Sequence, residues 1–273
     1  MSPNKNAAIT SYFKPKDGEP DKPRPKDSSD DITEEPRAPT PSTPQDKPKA
    51  KRRASTSPAS PPSKRQDTKT LTPPPPPPSP KPLSYKDLPT TDTAIPSSPA
   101  PKTLDLTLRT GSLFDAPPGT LLLHACNTQG SWGAGIALAF KQQYPKAYAI
   151  YHDFCTTEHS FKGGNPVPVG TTLLIPPVDG AEGHWIGCLF TSRQYGKRKD
   201  SVAEILQNTG RAMEACLALA QLAGEQAISG VRMCRINSGK FGVPWLRTEV
   251  VLRGIVVREG WIDRVEVWNP KDA

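Results

Sequence analysis

Along residues 104–109 apolar and polar positions alternate strictly, Leu104-Asp105-Leu106-Thr107-Leu108-Arg109, the period of a strand with one buried face. The run Leu121-Leu122-Leu123, inside 120–125, has no polar interruption and predicts a strand covered on both faces. Four further strands are predicted over 171–175, 185–191, 231–236 and 264–268. Between them the period becomes helical. Residues 136–144 and 146–156 read as two helices, with Pro145 suited to the first turn of the second, where its missing N–H costs nothing. Ser201-Val202-Ala203-Glu204 is a capping box. Val202, Ile205, Leu206, Met213, Leu217 and Ala220 follow it at helical spacing, and Gly224 is placed to end the helix. A last helix is predicted over 245–258. Strands interleaved with helices predict a three-layer α/β fold with helices on both faces of one sheet. In such a sheet ligands settle in the crevice at the strand ends, where the loops diverge.

None of this patterning extends upstream. Of the 34 prolines in the 273-residue chain, 25 fall within residues 1–101, and Tyr12, Phe13 and Tyr85 are the only aromatics there. A segment so poor in apolar surface cannot offset the entropy lost on ordering, so 1–101 is expected to be a disordered tail and 102–273 one folded domain. The run Pro73 to Pro78 favours an extended spacer. Two stretches of the tail carry a pattern. Ile9, Tyr12 and Phe13 fall on one side of a single helical turn and resemble the PIP-box peptide of sliding-clamp partners, with Asn6 where that pattern has glutamine. Lys49-Ala50-Lys51-Arg52-Arg53 and Lys64-Arg65 resemble a bipartite nuclear import signal, and a solvated charge run is the competing reading.

Charge and cysteines narrow the class. The formal net charge is +8, of which the tail holds 17 Lys and Arg against 12 Asp and Glu, so the domain carries only +3. Nucleic acid is therefore not its expected ligand, whereas a small anion held by backbone amides fits. The five cysteines, at 126, 155, 188, 216 and 234, are odd in number and set in apolar runs. Reduced, buried thiols in a soluble nuclear or cytoplasmic protein are expected, without a signal peptide, a membrane span or a disulfide framework.

The candidate chemistry lies in two glycine-rich turns. His124-Ala125-Cys126-Asn127-Thr128-Gln129-Gly130-Ser131-Trp132-Gly133-Ala134-Gly135-Ile136 joins a predicted strand to a predicted helix. Asn237-Ser238-Gly239-Lys240-Phe241-Gly242-Val243-Pro244 repeats the arrangement after the strand over 231–236. A helix N-terminus offers unbonded N–H groups and a positive dipole end, and glycine lets a phosphate approach the backbone. Two such turns can hold a diphosphate from both sides. Neither fits the dinucleotide fingerprint or the P-loop. His124 with Cys126, and His152 with Cys155, match no common zinc spacing, so no metal or other cofactor is expected. Asp115, Asp153, Asp179 and Asp200 are the carboxylates to weigh as general acid.

Taken together, the two turns resemble the macrodomain family, and within it the fungal ADP-ribose 1''-phosphate phosphatase group. The resemblance runs over roughly residues 103–269 and includes Tyr144-Pro145-Lys146-Ala147 and Cys188-Leu189-Phe190-Thr191-Ser192. It implies an α/β/α domain with a mixed sheet of about six strands. It implies that Asn127 bonds the distal ribose, and that the amides of Gly133, Ala134, Gly135, Ile136 and Ala137 hold the diphosphate from one side. Ser238, Gly239, Lys240, Phe241 and Gly242 would close over the other side, with Phe241 against the distal ribose. Gly111, Ser112 and Leu113 match the turn beside adenine, with Ser112 where many members have aspartate. Ala125, Cys126, Trp132, Ile236 and Asn237 complete the expected binding set.

The implied activity is hydrolysis of ADP-ribose 1''-phosphate, a by-product of tRNA splicing. The alternatives are a non-catalytic reader of ADP-ribose and a hydrolase that removes ADP-ribose from proteins. Related macrodomains of the last kind use a lysine and an aspartate, where this chain has Arg193 and Phe241. His124 and Asn127 are the expected catalytic residues, and His124 separates enzyme from reader, because an imidazole beside the ribose can move a proton or attack phosphorus. Strand alternation supplies the opposing reading: it places His124 and Cys126 on one face, with Asn127 beginning the turn.

Overall fold

The computed structural model describes residues 80–89, 101–180, 183–224 and 227–270. Among them seven strands form one mixed sheet: β1 (Leu83–Ser84), β2 (Asp105–Thr110), β3 (Thr120–Asn127), β4 (Thr172–Ile175), β5 (Trp185–Ser192), β6 (Gly230–Met233) and β7 (Arg264–Asn269). The helices are α1 (Gly135–Gln143), α2 (Pro145–Asp153), α3 (Val202–Ala223) and α4 (Trp245–Arg253). The strand order is β1-β4-β5-β3-β6-β7-β2. From β5 to β2 every neighbouring pair is parallel, while β4 runs antiparallel to both β5 and β1. Five parallel strands thus end along one edge of the sheet, at Ser192, Asn127, Met233, Asn269 and Thr110.

β3 lies at the centre, and the two faces of its alternation meet different layers. Leu121 and Leu123 face α3. A Cβ on Gly187, in the neighbouring β5, would stand 2.3 Å from Leu123 Cδ2 and 3.6 Å from Cys216 Sγ of α3, so only glycine fits between them. His124 and Cys126 face the aromatic layer of α1 and α2, where Phe140 and Tyr151 are fully buried and Tyr151 stacks on Phe190 of β5. α4 packs beside α3. The expected three layers result.

The structure departs from the sequence reading in four places. The sheet has seven strands rather than about six, because Leu83–Ser84 pairs with β4 as an edge strand within the stretch expected to be tail. A two-residue strand is too short to show alternation, and the capping box that follows it, Ser84 with Asp87, stabilises only the three-residue turn Tyr85–Asp87. The helix expected over 146–156 is α-helical to Asp153 and widens into a π-turn, Phe154–Glu158. The helix expected over 245–258 stops at Arg253, where Gly254 caps it. The strand expected over 231–236 ends at Met233, and the chain leaves the sheet to begin the second glycine turn. Ile9, Tyr12, Phe13 and the basic clusters lie outside the described residues. All five cysteines are free and buried.

Candidate active site

The first turn is braced by the residue that ends β3. Asn127 folds its side chain back: Oδ1 accepts from the Gln129 N–H (2.9 Å) and the Ser131 N–H (3.4 Å), and Nδ2 donates to the Ser131 carbonyl (2.6 Å). An asparagine that satisfies the backbone two residues on makes a stiff local turn. Its own carbonyl accepts from the Tyr151 hydroxyl (2.7 Å). Trp132, fully buried and stacked on Tyr151 at 4.9 Å, anchors the far side. Gly130 has φ +72°, and a Cβ there would stand 3.0 Å from His152 Nδ1, whose N–H donates to the Gly130 carbonyl at 2.9 Å. Beyond this anchor Gly133 and Ala134 are exposed. α1 then begins at Gly135 with no side-chain cap and no acidic residue in its first turn. Its leading N–H groups and positive dipole end therefore face the crevice without an internal acceptor.

The second turn is held from below. Asn237 takes φ +65°, a left-handed conformation that asparagine tolerates better than most residues. Its Oδ1 accepts from the Thr191 hydroxyl of β5 (3.0 Å), and its Nδ2 donates to Thr209 Oγ1 of α3 (2.8 Å). The turn closes on itself through Gly242 N–H to Gly239 O (3.0 Å) and Val243 N–H to Asn237 O (3.1 Å). Gly239, Lys240 and Gly242 are exposed at its tip. The two turns meet. Lys240 Cγ lies 3.6 Å from where Gly135 would carry a Cβ, and at φ +59° a side chain on Gly135 would also be strained.

The end of β5 walls one side. Ser192 Oγ donates to the Gln194 carbonyl (2.8 Å) and accepts from the Asp200 N–H (3.1 Å), which closes the neck of the loop over 193–200. Asp200, nearly buried, also accepts from Arg193 N–H (3.1 Å) and Arg193 Nε (3.0 Å), and Arg193 Nη2 reaches Glu204 (2.8 Å). Hydrogen bonding to Asp200 raises the Arg193 pKa further, and hydrogen bonds from Ser201 lower that of Glu204. The Arg193 carbonyl accepts from Thr128 N–H and Oγ1, which ties this loop to the first turn.

These positions change what several sequence-predicted residues do. His124 is fully buried: its ring stacks on Phe140 at 4.2 Å and meets Trp132 edge-on at 4.6 Å. The proton-transfer role expected of it is therefore corrected to a packing role, because an imidazole enclosed by aromatic rings has no face toward a substrate. Alternation is the physical cause. Cys126, on the same face, places its sulfur 3.6 Å from both ring nitrogens. Burial alone would raise the Cys126 thiol, but hydrogen bonding with Cys188 and the neighbouring His124 outweigh it and bring it from 9.0 to about 6. The donor atoms of His124, Cys126 and Cys188 lie within 4.8 Å of one another. Among the described residues no fourth His, Cys, Asp or Glu joins them.

Phe241, 9% exposed, packs with Ile205 and Val243. Leu113 and Ile236 are likewise buried, while Ala125, Ile136 and Ala137 are half-buried behind the turns. Gly111 takes φ +144° against the Trp268 ring, and Ser112 Oγ accepts from the Phe114 N–H (3.2 Å). Ser238 is half-buried, with its hydroxyl oxygen unpartnered. Of the four carboxylates, Asp179 caps α2 through the Lys146 and Ala147 N–H groups, and Asp115 and Asp153 are exposed. Asp200 is the one tied into the wall of the cleft. Thr209 escaped the sequence reading, and Thr191 entered it only within a matched stretch and with no role of its own, since a single threonine in a strand or helix carries no local signal.

Residues 123–252 match the model of the Macro domain family. A protein of Chaetomium globosum named ADP-ribose 1''-phosphate phosphatase is 45% identical over 170 residues, covering 59% of this chain and 89% of its own. A protein of the same name from Aspergillus clavatus is 42% identical over 170 residues, covering 52% of this chain and 85% of its own. A solved structure, the macrodomain of Mycobacterium tuberculosis DarG, aligns with 62% of this chain and 99% of its own at 22% identity and a TM-score of 0.47.

Proposed function

This chain belongs to the macrodomain family, and from that premise we propose that it hydrolyses ADP-ribose 1''-phosphate to ADP-ribose and inorganic phosphate. The observation that carries the reading is the meeting of two glycine turns at Gly135 and Lys240, on the edge where five parallel strands end. A diphosphate between them receives N–H groups from the uncapped start of α1 on one side and from residues 239–241 at the tip of the second turn on the other. In the reaction water attacks the terminal phosphorus and the bond from phosphorus to the sugar oxygen breaks. One proton of the water passes to that oxygen. Oriented backbone donors, preorganised by the Asn127 and Asn237 hydrogen bonds, fix the diphosphate and so hold the scissile end of the substrate in one position for attack.

One observation favours a second reading, in which the cleft binds ADP-ribose without hydrolysis: the imidazole expected to move the proton is in the core. Phosphate release from ADP-ribose 1''-phosphate by the full chain, with a chelator present, separates the two. Release supports the phosphatase. Tight ADP-ribose binding with no release supports the reader. A place in the clearance of tRNA-splicing by-products, and a nuclear address through the basic clusters of the tail, are parts of the same proposal.

A further inference from the structure

We propose that Lys199 recognises the terminal phosphate of the substrate and so lets the cleft discriminate ADP-ribose 1''-phosphate from ADP-ribose. The inference rests on the phosphatase reading and deepens it. β5 adjoins β3 on the side away from β6, β7 and β2. The turn expected beside adenine, Gly111 to Leu113, follows β2 at the far edge. A ligand laid along the strand ends, with its diphosphate between the β3 and β6 turns, therefore carries its distal sugar over the end of β5. That end bears the loop over 193–200, whose neck is closed by Ser192 and Asp200.

The cations of this loop are not equivalent. Arg193 is neutralised by Asp200 and Glu204. Lys197 and Arg198 are exposed at the tip. Lys199 is half-buried, no carboxylate among the described residues pairs with it, and its Nζ lies 4.0 Å from where Gly242 would carry a Cβ. An ammonium partly withdrawn from water beside a phosphate-binding turn is stabilised by an anion placed against it. ADP-ribose ends in a neutral sugar, and the 1''-phosphate adds a dianion at that same end. Only the phosphorylated ligand therefore gains from Lys199.

The test compares the full chain with Lys199→Gln, Lys199→Arg and Lys197→Gln, measuring kcat/KM for ADP-ribose 1''-phosphate and Kd for ADP-ribose. Loss of a charge-assisted contact predicts that Lys199→Gln lowers kcat/KM about 10- to 100-fold, while its ADP-ribose Kd stays within about two-fold. Lys199→Arg should recover most of the loss, and Lys197→Gln should change neither quantity. The proposal is overturned if Lys199→Gln leaves kcat/KM unchanged. It is equally overturned if that variant weakens ADP-ribose binding as much as it lowers kcat/KM, because the lysine would then serve the diphosphate or the loop. Absence of phosphate release by the wild type is a failure of the phosphatase reading alone. In that case titration of both ligands reports the same discrimination: Lys199→Gln should abolish the preference for the phosphorylated one, and retained preference refutes the role.

Discussion

Replacement of Asn237 separates what its side chain does from what its backbone does. The residue sits at φ +65° and spans two buried hydroxyls, 3.0 Å from Thr191 and 2.8 Å from Thr209. Asn237→Ala removes both hydrogen bonds and places a side chain with no local compensation in a left-handed conformation. A neutral hydrogen bond contributes about 1 kcal/mol net, and leaving a buried partner unsatisfied costs somewhat more. Thr209 keeps its own bond to the Ile205 carbonyl (2.6 Å), so Thr191 is the partner left exposed to that penalty. The left-handed backbone adds about 1 kcal/mol. Asn237→Ala should therefore destabilise by about 3 kcal/mol, and Asn237→Gly, which relieves only the backbone, by about 2 kcal/mol. Urea unfolding of the full chain measures both. ADP-ribose titration of the folded variants should show weaker binding for each, because the tip at Gly239 to Gly242 hangs from this residue through Val243 N–H to Asn237 O. If Asn237→Gly is as stable as the wild type and binds ADP-ribose equally well, the two hydroxyl bonds contribute nothing and the account of the second turn is wrong.

Two further outcomes follow from the same geometry. His124→Gln gives up the ring contacts with Phe140 and Trp132, so it should lose about 1–2 kcal/mol of stability with turnover per folded molecule within about two-fold. A loss of turnover of about 10²-fold or more, with the unfolding midpoint unchanged, would return the imidazole to the chemistry. Acid should loosen the start of α3: Glu204 is held below 4.5 by Ser201 and Arg193, so its contribution is complete above that value and disappears as pH falls through its lowered pKa. The urea midpoint of Glu204→Gln should lack this dependence, and a slope equal to the wild type's over that window would assign it to another group.

Local interactions are what the sequence by itself determined. Leu121-Leu122-Leu123 announces a central strand because a strand covered on both faces admits no polar residue. Ser201 and Glu204 announce the start of α3 because a capping box is complete within four residues, and both of its bonds are present. The glycine turns are legible for the same reason. Tertiary structure decided the rest. Period-two alternation puts His124 and Cys126 on one face but cannot say that Phe140 and Trp132 cover it, and that covering moves the imidazole from chemistry to core. Asn127 could have reached toward a sugar, and the path of its own turn drew its amide inward. Asn237 is fixed by partners 46 and 28 residues away, and Lys199 gains its place beside Gly242 only because β5 and β6, whose following loops bear the two residues, both flank β3. Contacts between elements distant in the chain depend on strand order, and strand order is set by how buried faces fit together, which no single stretch of residues encodes.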